Sequence, residues 1–151
     1  MATDSPHAAG LPSPAERPDA DIVIYDGQCN FCRASVARLP WWDCQGRLCY
    51  VSLHDPSVAE RWPDIALDRL HQEMCIVEGP GGRRPGRRHW GAEAVRHLTF
   101  RLRRLWWLMP LMHLPGMMLL ARPLYRLVAR NRYRIAGRAE DCDNGSCSLP
   151  R

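Results

Sequence analysis

At 151 residues and 17.3 kDa the chain is one domain by length, with enough residues to bury a core. Its net charge is +5, and all 21 basic side chains are arginine, a bias that points to base composition rather than to phosphate binding and argues against a nucleic-acid protein. Seven cysteines, an odd number at irregular spacing, do not form a secreted disulfide framework. Residues 1–20, "MATDSPHAAGLPSPAERPDA", have no apolar periodicity and no secretory pattern, and are expected to form a disordered tail.

The β-branched run Ile22–Asp26 reads as a strand ended by Gly27, where the chain can turn sharply. From Asn30 the pattern becomes helical, with Cys32, Val36 and Leu39 at i, i+4 and i+7, until Pro40 stops it. Arg47–Leu53 is a second strand; Asp55 and Pro56 then open a helix as N-cap and first helical residue. Glu73–Glu78 and Arg87–Trp90 are two strands joined through "GPGGRRPGRR", a solvated hairpin tip, and "GAEAVRHLTFRLRRL" is a helix. The order β-α-β-α-β-β-α, with a parallel, right-handed first β-α-β and an antiparallel final hairpin, is a thioredoxin-like α/β fold. Residues 21–106 form that core. A helical extension over 107–138 follows, expected to pack on the core, and then a cysteine-containing tail over 139–151. Leu105–Leu120 is shorter than the ~20 residues that span a bilayer, and prolines interrupt it. Burial against the sheet is the favoured reading of that segment, and an interfacial membrane contact through Trp106 and Trp107 the other. Pro123 is expected to break or kink the run before a final helix with Leu124, Leu127 and Val128 on one face.

Chemistry concentrates in "YDGQCNFC". A thiol attacks only as thiolate, and a cysteine in the first turn of a helix faces unpaired N–H groups that favour the anion. Cys29 is therefore the expected nucleophile. Cys32, one turn on, is the resolving thiol that breaks the mixed disulfide. Asp26 can serve as a proton acceptor with a pKa raised by burial, or it can cap the turn at Gly27–Cys29. Cys49 and Cys75 lie in apolar strands and read as inert core thiols; Cys44 reads as a loop thiol. Cys142 and Cys147 have three readings: spare thiols of a tail, a redox relay to the first pair, or the second half of a zinc site with Cys29 and Cys32. The histidines at 54, 71, 89, 97 and 113 are scattered singly and read as surface or satisfied core residues.

With "YDGQCNFC", "GAEAVRHL" and "LYRLVARNRYRIAGRAEDC" in this order, the chain resembles the DCC family of thiol-disulfide oxidoreductase-like proteins, whose Asp-Cys-Cys motif falls on Asp26, Cys29 and Cys32. The resemblance spans about Ile22 to Cys142. It implies a thioredoxin-like fold and protein-disulfide oxidoreductase activity, mostly in bacteria. Cys142 matches a cysteine found in several members, whereas Arg130–Arg134 has no role that the sequence supplies. Thioredoxins place a cis-proline before the third strand, facing the dithiol. "LDRLHQEMCIV" has none there, so substrate docking is expected around His71 and Gln72 instead. Taken together, the expectation is a cytoplasmic protein-disulfide reductase that needs no organic cofactor. Its partners are a disulfide-containing protein or small-thiol substrate and an electron-donor reductase that recharges the pair.

Overall fold

A computed structural model describes residues 10–137. Four strands, β1 (Asp21–Tyr25), β2 (Leu48–Ser52), β3 (Cys75–Val77) and β4 (Arg88–Trp90), form one mixed sheet in the order β2-β1-β3-β4. β1 pairs parallel with β2, with Val23 opposite Tyr50, and antiparallel with β3, which pairs antiparallel with β4. This is the thioredoxin-like arrangement.

The period-2 alternation of β1 sorts the core into two layers. Val23 and Tyr25 face Val36 of α1 (Asn30–Ala37) and Ala94 and Leu98 of α5 (Gly91–Arg101). Ile24 faces Val58 of α3 (Pro56–Arg61) and Leu70 of α4 (Leu67–Gln72) on the opposite side. A central strand covered on both faces reads as an unbroken apolar run, which is why "IVIY" stands out. Each end of β1 carries a buried carboxylate. Asp21 is held by Arg101 Nε and His97 Nε2, both at 2.9 Å, and by the Gly79 N–H at 3.0 Å. Asp26 stands at the other end, next to the cysteines, and is 2% exposed.

Gly79 sits against the chain entering β1, and a Cβ there would lie 2.1 Å from the Ala20 carbonyl oxygen. Gly79→Ala is therefore expected to cost about 1–3 kcal/mol, because backbone rather than a flexible side chain must move. Urea denaturation against the parent checks it; an unchanged midpoint would mean that Ala20 yields freely.

Residues 10–20 differ from the expected tail. Leu11 packs on the core, the Pro12 carbonyl accepts the Tyr50 N–H at 2.9 Å, and Arg17 donates to the Leu48 carbonyl at 2.9 Å while pairing with Asp43. The segment covers the free edge of β2, and these bonds offset an apolar content too small to order it alone. Residues 1–9 lie outside the described residues.

The other departures lie in the helices. α1 ends at Ala37, and Pro40 then falls within a short helix, α2 (Leu39–Trp42), where a missing N–H costs nothing. α4 has no apolar periodicity in the sequence, being six residues long and burying only Leu70. A 3₁₀ turn (Arg103–Leu108) and α6 (Met109–Met112) lead to α7 (Met117–Ala136), which runs unbroken through Pro123. Pro123 removes one hydrogen bond, to the carbonyl of Leu119, a residue that is 75% exposed. α7 lies against α1 and α5. The side chains expected in the interior are nevertheless largely outside: Trp106, Trp107, Leu119, Leu120, Leu124 and Leu127 are each more than half exposed. One helix lying on two others buries one stripe, and this segment is apolar around more of its circumference than that stripe covers. No helix among the described residues is long and apolar enough to cross a membrane.

Candidate functional site

β1 delivers Asp26 to the C-terminal edge of the sheet, and α1 starts there. Gly27 makes the turn possible by its lack of bulk, since a Cβ would sit 2.6 Å from Ser52 Oγ; its φ is not in the left-handed region. Cys29 is the N-cap of α1, in extended conformation, and its Sγ accepts the Cys32 N–H at 3.3 Å. The sulfur thus lies where unpaired first-turn N–H groups and the positive helix end favour an anion.

An attacking thiol needs access to its substrate, and the two sulfurs differ in it. Cys29 is 0% exposed, while Cys32 is half-buried and borders a cavity. Burial first, and then the hydrogen bond and charge of Cys29, push the Cys32 thiol up to about 12, with Arg132 working the other way. Cys29 and Cys32 are both free thiols. Burial likewise pushes Cys49 and Cys75 up to about 12, as suits inert core thiols, and Cys44 is exposed.

What covers the dithiol is the C-terminal end of α7. Asn30 Nδ2 donates to the Ala136 carbonyl at 3.1 Å. Arg132, 5% exposed, reaches Cys32 Sγ at 3.6 Å and Asp26 Oδ2 at 3.4 Å, and donates to the His71 carbonyl. Tyr133 donates its hydroxyl to Asp26, and His54 Nε2 lies 3.2 Å from Asp26 Oδ1. Arg132 and Tyr133 belong to the Arg130–Arg134 segment, to which the sequence assigned no role. The signal was an arginine in phase with the apolar stripe: Tyr125, Val128 and Arg132 stand at i, i+3 and i+7, and all three line the same cavity. His54 offered no such pattern.

Asp26 corrects one expectation. Burial alone would raise its pKa, but the Tyr133 hydroxyl, the Gln28 N–H, His54 and the Arg132 charge outweigh it and hold the carboxyl below its ordinary range. The carboxylate is ionised at neutral pH. It also caps the turn, accepting the Gln28 N–H at 3.0 Å.

His71 approaches the site through its carbonyl, and its ring lies 5.6 Å from that of His54. Gln72 is exposed at the end of α4. No peptide bond among the described residues is cis. Cys142 and Cys147, the relay and zinc candidates, lie outside the described residues. Among the described residues the one group with closely gathered metal-ligand atoms is Glu78, His89 and His97, at the opposite end of the sheet. The two imidazoles stack 4.2 Å apart at 14°. Each Nε2 already faces a carboxylate, Glu78 or Asp21.

The family described as DCC1-like thiol-disulfide oxidoreductase matches residues 23–138, a span that runs from β1 through Arg132 and Tyr133. No curated protein and no solved structure matches the chain.

Proposed function

Since the chain belongs to the DCC1-like thiol-disulfide oxidoreductase family, we propose that it exchanges thiols and disulfides through the Cys29/Cys32 pair. The observation that carries this reading is Cys29 Sγ at the N-cap of α1, accepting the Cys32 N–H with Cys32 one turn away. Cys29 attacks a substrate disulfide and forms a mixed disulfide, which expels one substrate thiolate. Cys32 then attacks Cys29 Sγ, the second substrate thiol leaves, and the pair ends oxidised. The cysteines carry the electrons, so an external reductant recharges them. Its identity and the substrate's belong to this proposal, as does a reducing, cytoplasmic setting.

Asp26 acts here as a positioning residue. A carboxylate held below its ordinary range is a poor proton carrier, but it fixes the Arg132 guanidinium against Cys32. Because Cys29 is fully buried, productive exchange requires the end of α7 to yield at the Asn30–Ala136 hydrogen bond. Cys142 and Cys147 serve as a relay only if their thiols exchange with this pair.

Cys32→Ser tests the order of attack. Incubated with glutathione disulfide, this variant is expected to accumulate a glutathione adduct on Cys29, seen by peptide mapping. No adduct on Cys29 would overturn the assignment of the nucleophile.

A further inference from the structure

The fold leaves a cavity of about 460 Å³ beside the dithiol, between α1, α5, α6 and α7, a size typical of small-molecule sites. One end is chemical, bordered by Cys32, Asp26 and Arg132. The rest is apolar, with Phe31, Val36, Val95, Met117, Leu124 and Val128 in its walls. Cys32 is the thiol that a molecule in the cavity meets, since Cys29 is wholly buried.

Three observations narrow the occupant. Arg132 is 5% exposed, and its Nε has no hydrogen-bond partner among the described residues. Its guanidinium borders the cavity beside Cys32, and that positive charge favours an acceptor oxygen on a ligand. Next, Met74 leads into β3 and lines the cavity, and its N–H is taken by Tyr125 Oη at 3.1 Å. An extended peptide docking at this point would find that main-chain donor already used. Finally, Leu120 and Leu124 in the cavity wall are 69% and 62% exposed, and Leu119 and Leu127 on the same helix are exposed as well. Such a face suits arrival of a ligand from a lipid phase.

The occupant must then combine an electron-accepting centre and an acceptor oxygen at one end with an apolar body at the other. We infer that the cavity binds a 1,4-quinone with an apolar side chain, and that the quinone takes the electrons of the Cys29/Cys32 dithiol. This rests on the reading of that pair as redox-active. The two S–H bonds break and one S–S bond forms between Cys29 and Cys32. Two electrons and two protons pass to the quinone, whose carbonyl oxygens become the hydroxyls of a hydroquinone. The Arg132 guanidinium at the cavity edge stabilises the oxygen on which negative charge develops. An external thiol reduces the pair again, which makes the net reaction thiol oxidation by quinone.

The test uses the full reduced chain with two probes, decylubiquinone and the same ring without its decyl chain. Formation of the Cys29–Cys32 disulfide is followed by peptide mapping. Disulfide formation with the tailed quinone is expected to be at least about tenfold faster, since a few buried methylenes suffice for that. Ala121→Trp, which fills the cavity, and Leu124→Glu, at an exposed position that the fold tolerates, should each remove the advantage. Equal rates for the two probes, or an advantage that survives both variants, would overturn the inference. Failure of both quinones while glutathione disulfide still oxidises the pair would overturn it too, and leave the dithiol reading standing. If no oxidant joins Cys29 to Cys32, both readings fall.

Discussion

Cys29→Ser is expected to abolish disulfide exchange, a loss of about 10³-fold or more, as when an enzyme loses its nucleophile. The substitution is clean for a structural reason. Cys29 is an N-cap, serine is among the best N-caps, and its hydroxyl can accept the same Cys32 N–H. The helix start is thereby kept while the sulfur is lost. Circular dichroism and the urea midpoint should stay near those of the parent, with glutathione disulfide reduction at background. A variant that keeps its rate would transfer the attacking role to Cys32, the sulfur that borders the cavity.

The second large effect is expected at Arg132. Its guanidinium is the charge partner of Asp26, and both side chains are nearly inaccessible. Arg132→Met leaves the buried carboxylate to Tyr133, Gln28 and His54 alone, so the cost is expected to stay below the about 3–5 kcal/mol of a buried pair broken with no other partner. The pH dependence follows from the direction of the Asp26 shift. In the parent, the carboxyl titrates below its ordinary 3.8. Its contribution to stability is therefore fully present above 3.8 and is lost as pH falls through the lower, folded value. Without Arg132 the folded pKa moves up, so the variant's deficit is largest near neutrality and narrows in acid as Asp26 takes a proton. Asp26→Asn in the same chain removes the stranded charge, and the double variant should cost clearly less than the two single costs added. Urea denaturation at pH 7 and pH 4 measures both; additive costs and a deficit independent of pH would show that the pair is not coupled.

The sheet and the dithiol were legible because local rules and tertiary context agree there. "IVIYDG" has strand composition and a turn, Asp55-Pro56 is a helix start, and the Cys29 N-cap follows from a helix that begins at Asn30. The partners of the dithiol were not legible, because they come from a hundred residues away. Arg132 meets Cys32 only after α7 has folded back over α1, and no spacing rule reports a contact of that separation. The sign of the Asp26 shift failed for the same reason: burial could be foreseen from the apolar strand, whereas the Tyr133 hydroxyl and Arg132 could not. Residues 10–20 misled by composition. A Pro-rich segment without a core of its own can still be held by main-chain bonds to an open strand edge, as Pro12 is by Tyr50. In the C-terminal helices, periodicity identified an apolar stripe but could not tell which part faces α1 and α5 and which faces outward.

A redox titration of the full chain in glutathione buffers, with every cysteine mapped at each ratio, tests the central claim most directly. A single two-electron couple that joins Cys29 to Cys32 is expected, with Cys49 and Cys75 reduced throughout. Oxidation that bypasses Cys29, or that leaves Cys29 and Cys32 unlinked at every ratio, would contradict it.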